Sequence, residues 1–227
     1  MTNLPTHKTG ALDARDNTSP QQQNELDYFL IDGSGSMRDK WWDFLAAADS
    51  FLATCKSNGL QSHLVVHVFD TADIEMIQRD CALSSAESFR DEPLGSHFQG
   101  TPLYDAINLM GRRLKERDPS KASILIVTDG EDCDSKTSIT QAKAILDWIK
   151  AKGWQVTFIG CDFNNSNQAK ALGMDDSNTI GVQKKLLTDA ARNLATKRSA
   201  YSRTGEDISF SDQEKKQFGG YLSDQSK

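Results

Sequence analysis

The sequence predicts a doubly wound α/β fold: a mostly parallel six-stranded sheet with one antiparallel edge strand and helices on both faces. Short apolar runs typical of buried strands alternate along the chain with longer segments of helical periodicity. This alternation is typical of right-handed βαβ units, which place parallel strands side by side and cover the sheet with helices. The turn at 70–73 is short enough to join two strands as a hairpin, and it therefore predicts the antiparallel edge.

The individual elements are predicted from apolar patterns and from the turn residues at their ends. Buried strands are predicted at 26–31, 63–69, 123–128, 154–160 and 178–182, with the hairpin strand at 74–78. Helices are predicted at 37–59, 101–117, 139–153, 165–173 and 183–198. Gly59 and Gly153 stand where glycine commonly ends a helix. Pro102 lies in the first turn of another helix, where proline is well tolerated.

Composition divides the chain into one domain at 25–197, a polar, flexible N-terminal arm at 1–24 and a polar C-terminal tail at 198–227. The net charge of −6 argues against nucleic-acid binding, which usually requires a basic surface. No apolar run is long enough for a membrane span, and no apolar leader is visible. The four cysteines lie far apart, which favours free thiols over zinc or a disulfide framework. Together these observations predict a cytoplasmic protein.

Oxygen-bearing side chains follow the predicted strands, at the edge of the sheet where ligands bind in such folds. Asp32 ends the first strand, and Ser34 and Ser36 lie on the glycine-rich turn that follows. Asp129 ends another buried strand, and Thr101 opens a helix. If the two strands are neighbours, both carboxylates face one crevice, where they repel each other unless a proton or a cation lies between them. An all-oxygen donor set suits hard cations such as Mg²⁺, Mn²⁺ or Ca²⁺.

The charge of this donor set suggests what such a site could do. Two carboxylates only just neutralise a divalent cation, and hydroxyl groups add no charge. An octahedral ion needs six ligands, so water fills any position that these side chains leave open. Such an ion stays electrophilic and can accept one more oxygen, and a carboxylate of a partner protein fits that requirement.

Three short segments, at 32–36, 101–102 and 128–130, resemble the metal-ion-dependent adhesion site of the von Willebrand factor A domain family. That site combines an Asp-x-Ser-x-Ser turn with a distant threonine and a distant aspartate, and the resemblance extends over roughly residues 25–197. It implies a Rossmann-like fold in which Ser34, Ser36 and Thr101 coordinate the metal. It also implies that Asp32 and Asp129 bind the metal directly or through water.

The resemblance also implies a function. Sites of this family typically bind an acidic side chain of a partner protein, so we expect a metal-dependent protein-binding module without enzymatic activity. Intracellular prokaryotic members often work beside AAA+ ATPases or in multi-protein assemblies. An adaptor or assembly factor in an intracellular complex is therefore expected, with an AAA+ ATPase or a phage-like assembly as candidate partners. Neither nucleic acid nor a membrane is expected as a partner.

Other functions stay open at this stage. A Mg²⁺ ion between two aspartates could serve phosphoryl transfer, although the sequence has no Gly-x-x-x-x-Gly-Lys-Ser/Thr phosphate loop. The metal could instead only stabilise the fold, or the chain could be a metal-independent scaffold that docks through its edge strand or its tail. A serine hydrolase is disfavoured, because no histidine follows His97 and the turn around Ser34 is not Gly-x-Ser-x-Gly. Asp70 is either an acid behind the metal ligands or a hairpin-turn residue.

Overall fold

The computed structural model describes residues 24–164 and 166–219. Within these residues the strands are β1 Glu25–Asp32, β2 His63–Phe69, β3 Ile77–Ala82, β4 Lys121–Thr128, β5 Gln155–Cys161 and β6 Thr179–Val182. The helices are α1 Trp41–Ser57, α2 Leu103–Arg117, α3 Ile139–Ala151, α4 Ser166–Ala171, α5 Leu187–Thr204 and α6 Asp212–Gly219. The predicted N-terminal arm at 1–24 lies outside the described residues, except for its last residue.

The strands form one six-stranded sheet of order β3-β2-β1-β4-β5-β6. β1 is central and pairs in parallel with both β2 and β4, and β5 and β6 continue the parallel arrangement. β3 is an edge strand and runs antiparallel to β2. The predicted fold class is therefore confirmed. Because the strand order reverses between β1 and β4, the loops that follow these two strands lie at the topological switch point of the sheet.

Alternation of side chains along β1 divides the core into two apolar layers. Phe29 and Ile31 face the layer that includes α1 and α5, whereas Tyr28 and Leu30 face the layer that includes α2 and α3. Because both faces of the strand are covered by helices, every residue of β1 is buried. This explains why its sequence is nearly continuous in apolar residues rather than alternating, and why its end is fixed firmly enough to carry a site.

The C-terminal region contains more structure than the polar tail that the sequence predicts from residue 198. Helix α5 continues to Thr204, and α6 follows at Asp212–Gly219. Ile208, Phe210 and Phe218 are buried in the layer that includes α1 and α5. These apolar residues are spaced irregularly among charged ones, so they give no helical or strand period that the sequence alone could reveal.

Two further properties concern the predictions on membranes and cysteines. Among residues 24–164 and 166–219, no helix is both long and apolar enough to cross a membrane. The four cysteines are free thiols, of which Cys55 and Cys161 are buried.

Candidate metal centre

The site begins where β1 ends, because Asp32 is the last residue of that central strand and its side chain is fully buried. Oδ1 of Asp32 accepts a 2.8 Å hydrogen bond from the backbone N–H of Ser34. Oδ2 accepts a 2.7 Å hydrogen bond from the hydroxyl of Thr128, the last residue of β4. These two bonds hold the carboxylate in one orientation between the ends of neighbouring strands.

The two serines of the turn connect Asp32 to the second aspartate. The hydroxyls of Ser34 and Ser36 lie 3.0 Å apart. The hydroxyl of Ser36 donates a 2.6 Å hydrogen bond to Oδ1 of Asp129. The expected juxtaposition therefore exists at the ends of β1 and β4: the side chains of Ser34, Ser36 and Asp129 are linked by hydrogen bonds. Asp32 joins them through the backbone N–H of Ser34.

Glycine at position 33 allows this turn to lie close to its neighbours. A Cβ atom at Gly33 would lie 2.4 Å from Oγ of Ser96 and 2.8 Å from Cγ1 of Val68, so no other residue fits without displacing them. The backbone N–H of Gly33 donates to the carbonyl of Phe69 at 2.8 Å. The turn thus extends the pairing between β1 and β2 by one bond before the chain leaves the sheet.

Thr101, the fifth predicted residue, is placed beside this turn by backbone contacts. The N–H of Gly35 donates to the carbonyl of Gln99 at 2.7 Å, which fixes the segment leading to Thr101 against the turn. The N–H of Thr101 donates to Oδ2 of Asp134 at 3.0 Å, and the carbonyl of Thr101 accepts from the N–H of Cys133 at 3.3 Å. The side chain of Thr101 is buried, just before α2 begins.

The acidic loop after β4 is structural at two of its carboxylates. Asp134 binds the backbone of Thr101, and Oδ1 of Asp132 accepts from the N–H of Tyr104 at 3.1 Å. The hydroxyl of Ser135 accepts from the same N–H at 2.9 Å. These oxygens satisfy N–H groups at the start of α2 that have no partner within the helix. The loop therefore positions Thr101, and two of its carboxylates are bound to the protein rather than to solvent.

Asp70 holds a second loop near the site. Its Oδ1 accepts from the N–H groups of Ala72 and Asp73, at 2.8 and 2.9 Å, and these bonds close the hairpin turn. Its Oδ2 accepts from the N–H of His97 at 2.9 Å and from the hydroxyl of Ser96 at 3.2 Å. Burial alone would raise the pKa of Asp70, but these hydrogen bonds outweigh it and hold the pKa below its usual range. Asp70 is thus a turn residue that also anchors the loop before Thr101.

Sequence reasoning missed Lys40, the residue before α1. Its Nζ donates a 2.7 Å hydrogen bond to Oδ2 of Asp129 and a 2.9 Å bond to the backbone carbonyl of Ser36. The side chain of Asp129 is completely shielded from solvent, and that of Lys40 is 15 % exposed. Lys40 lies beside Asp129 because of the path that the chain takes between Ser36 and α1. No periodic pattern in the sequence predicts this contact.

The electrostatics of the site favour a cation. Burial raises the pKa of Asp32 to about 6, and the nearby charge of Asp129 adds to this increase, whereas hydrogen bonds from Thr128 and Ser34 oppose it. The protein thus holds a carboxylate where its charge is poorly solvated. A cation beside both aspartates would relieve this cost by stabilising the ionised form.

The donor set fits a hard divalent cation. It offers two linked serine hydroxyls, of which that of Ser36 binds Asp129, with the carboxylate of Asp32 on the same turn and Thr101 adjoining. Carboxylate and hydroxyl oxygens are ligands that Mg²⁺ and Ca²⁺ accept. Within the described residues, no group of three or more His, Cys, Asp or Glu side chains is arranged to hold a metal.

A doubly wound sheet with one antiparallel edge strand, and with oxygen-bearing side chains gathered at its switch point, defines a class of Rossmann-like α/β domains. The model of the von Willebrand factor type A domain matches residues 28–194. The chain belongs to this family, whose members often bind a divalent metal. A search of curated proteins found no match to the sequence.

Solved structures with the same fold include bacterial pilus proteins. The vWF domain of the type V pili tip protein Mfa5 from Porphyromonas gingivalis has a TM-score of 0.63 at 12 % identity, covering 81 % of this chain and 98 % of that one. The pilus adhesin SpaC from Lactobacillus rhamnosus GG has 0.61 at 14 %, covering 79 % and 31 %. A D319A mutant of the PilB minor pilin from Streptococcus sanguinis has 0.59 at 13 %, covering 83 % and 65 %. The chain thus spans about a third of the adhesin SpaC.

These comparisons correct one prediction and support another. The predicted cytoplasmic location is contradicted, because the structures most similar in fold include pilus adhesins, a pilus tip protein and a minor pilin. The spacing of the cysteines was too indirect to decide the location. The same comparisons, with the family match, support a module for protein interaction or adhesion.

Proposed function

We propose that this chain is a protein-binding module whose binding depends on a divalent cation, and that an acidic side chain of the partner completes the shell of that cation. The observation that carries the proposal is the hydrogen-bonded group formed by Ser34, Ser36 and Asp129 beside the buried carboxylate of Asp32. A purely structural role would not explain why four oxygen-bearing side chains from two loops gather in one crevice.

The residues proposed to hold the cation are Asp32, Ser34, Ser36, Thr101 and Asp129. When bound, the metal supplies an electrophilic position for an oxygen ligand from outside the chain. The two carboxylates balance its charge without excess, which leaves affinity for one further anionic oxygen. Gly35 and Ser36 are exposed on the turn, so a protruding Asp or Glu side chain of the partner would approach the crevice from this side.

We also propose that the module is not an enzyme. The hydroxyl of Ser34 lies 3.0 Å from the hydroxyl of Ser36, which is not a base that could activate it. Two alternatives remain to be distinguished by experiment. One is a Mg²⁺-dependent phosphoryl-transfer enzyme, and the other is a metal-independent scaffold. An AAA+ ATPase or a phage-like assembly as partner stays a prediction from the resemblance, and no comparison supports it.

The test is affinity capture from a lysate of the source organism, with the full chain as bait, in Mg²⁺ or in EDTA, read by mass spectrometry. Asp32→Ala and Thr101→Ala should each abolish the Mg²⁺-dependent capture while the far-ultraviolet circular dichroism stays native. Asp43→Asn is the matched control, because Asp43 is an exposed acid near the start of α1 that pairs with Lys184 and not with the site.

Each result has one reading. Capture that survives EDTA and both alanine substitutions contradicts the metal-dependent function and favours the scaffold. Turnover of a phosphate ester that requires Mg²⁺ and disappears in Ser34→Ala contradicts the non-enzymatic assignment. Loss of capture in Asp43→Asn as well would show that the effect belongs to the whole surface rather than to the proposed ligands.

A further inference from the structure

The ammonium group of Lys40 is bound to the carboxylate of Asp129, which is one of the proposed ligands of the cation. Its Nζ lies 2.7 Å from Oδ2 of Asp129, and Oδ1 of Asp129 accepts a hydrogen bond from the hydroxyl of Ser36. A third contact, 2.9 Å to the carbonyl of Ser36, holds the ammonium over the turn that carries the serine ligands. The ion pair is therefore part of the crevice and not a surface pair beside it.

The main chain around Lys40 is fixed, so the side chain is positioned rather than free. The N–H of Lys40 donates to the carbonyl of Met37 at 3.0 Å, and the carbonyl of Lys40 accepts from the N–H of Phe44 at 2.9 Å as α1 begins. Asp39 is the other acid near the ammonium, at 3.6 Å, and it is largely exposed to solvent. The shielded partner of Lys40 is Asp129, and in such surroundings a charge pair is much less screened than in water.

The charges show that the ammonium group of Lys40 and a divalent metal ion compete for Asp129. Asp129 carries a single negative charge, which cannot fully serve a lysine and a divalent ion at once. With Lys40 in place the two aspartates and the lysine present a net charge of one negative unit, half of what a divalent ion requires. An ion bound to Asp129 therefore either shares this carboxylate with the ammonium group or displaces it, and in both cases the positive charge of Lys40 remains tethered close by.

We propose that Lys40 is a tethered competitor of the divalent cation: its ammonium holds Asp129 when no metal is bound and thereby lowers the metal affinity of the site. This inference rests on the proposed function, since it assumes that the crevice binds a divalent cation. It adds that Lys40, which is not one of the proposed ligands, sets the metal concentration at which partner binding begins. Lys40 is thus an affinity-determining residue and not itself a ligand.

The experiment measures metal binding directly, without any partner. Mn²⁺ is titrated into the purified full-length chain and free Mn²⁺ is followed by electron paramagnetic resonance, in the wild type and in Lys40→Met, which keeps the apolar stem and removes the charge. We expect Lys40→Met to bind Mn²⁺ about tenfold more tightly, because one repelling charge is removed at short range. Lys40→Arg keeps the charge and should stay within about twofold of the wild type.

Lys184→Met is the matched control. The ammonium of Lys184 binds the carbonyl of Asp39 and lies 3.2 Å from Asp43, so it is a lysine of the same region that does not contact Asp129. Its removal should leave the Mn²⁺ affinity within about twofold of the wild type, because exposed charges are strongly screened. A second readout is the rise in melting temperature on addition of Mg²⁺, which should be larger in Lys40→Met than in the wild type.

The outcomes separate this inference from the proposed function. Mn²⁺ binding with equal or weaker affinity in Lys40→Met overturns the competition while leaving the metal site intact. Equal tightening in Lys184→Met overturns it too, since general surface charge would then explain the effect. Failure of both the wild type and Lys40→Met to bind Mn²⁺ overturns the metal site itself, and the competition with it. Binding by Lys40→Met alone, or tighter binding by it, supports the inference.

Discussion

The hydroxyl of Ser36 lies 2.6 Å from Oδ1 of Asp129 and so joins two loops whose residues are 93 positions apart in the chain. The pairing of β1 with β4 brings these loops together, because parallel neighbours end at the same edge of the sheet. Ser36 itself is exposed on the turn, whereas the side chain of Asp129 is shielded from solvent. The bond therefore fixes an accessible hydroxyl group against a shielded carboxylate.

Ser36→Ala should therefore affect the cation far more than the fold. We expect the free energy of unfolding without metal to fall by about 1–2 kcal/mol, because Ser36 is exposed but its carboxylate partner is shielded. The rise in melting temperature on addition of Mg²⁺ should disappear, since one proposed ligand is lost. Ser57→Ala, which removes an exposed hydroxyl bonded to a helix carbonyl, is the control and should keep the full rise. A full Mg²⁺ response in Ser36→Ala would remove Ser36 from the ligand set.

Gly33→Ala should damage the turn itself. The added Cβ would lie 2.4 Å from Oγ of Ser96 and 2.8 Å from a methyl group of Val68, which is buried in β2. We expect a loss of about 1–3 kcal/mol in unfolding free energy, the usual cost of overpacking, together with weaker Mn²⁺ binding. Gly130→Ala is the control, because a Cβ at Gly130 meets no atom within 4 Å. Equal denaturation midpoints for the two variants would contradict this account.

The fold and the convergence of the site could be predicted from the sequence for one physical reason. Apolar runs mark strands buried on both faces, and a parallel arrangement brings the residues after them to one edge. Asp32 and Asp129 follow such runs, so their proximity needed only the adjacency of β1 and β4, which the structure provides. Side chains on short turns such as Ser34 and Ser36 then have little freedom to lie elsewhere.

Contacts made by long side chains across the fold could not be predicted in the same way. Lys40 reaches Asp129 only because of the path of the chain into α1, and Arg198 reaches Asp27 across 171 positions. In the sequence, Asp27 is an isolated acid within an apolar run, and nothing identifies its partner. The edge strand β3 begins at Ile77, three residues later than predicted, because its pairing with β2 rather than its apolar pattern fixes its limits.

Arg198→Met should destabilise the fold strongly. The Arg198 side chain is fully buried, and it donates to Asp27 at 2.6 Å and to Glu25 at 3.0 Å, at the start of the central strand. Its removal leaves the buried carboxylate of Asp27 without a cation, whereas Glu25 keeps Lys121 at 3.7 Å. Breaking a buried ion pair in this way typically costs about 3–5 kcal/mol. Chemical denaturation measures this loss. Arg192→Met is the control, because Arg192 pairs with Asp189 in solvent on the same helix, and it should cost about 0.5 kcal/mol or less. Similar midpoints for the two variants would show that the buried cluster contributes little.

His67 makes stability depend on pH through its buried ring. Nε2 lies 2.6 Å from the carbonyl of Ile74, which can only accept, so Nε2 carries the proton and Nδ1 accepts from the hydroxyl of Tyr28 at 2.9 Å. The neutral ring thus satisfies both partners. Burial lowers the pKa of His67 to about 4, and the charge of Arg113 acts in the same direction, although the bond to Ile74 opposes both.

The sign of the effect follows from proton counting. Between the unfolded pKa of about 6.5 and the folded pKa, the unfolded chain binds the proton more readily, so acid favours unfolding. The contribution of His67 is fully present above about pH 6.5 and should fall by about 2 kcal/mol on going to pH 5. The pKa of Asp32, which burial raises to about 6, lies in the same range. The measurement is therefore the difference between the unfolding free energies of the wild type and His67→Gln from pH 7.5 to pH 5. We expect this difference to shrink as the pH falls, whereas parallel profiles would show that folding does not lower the pKa of His67.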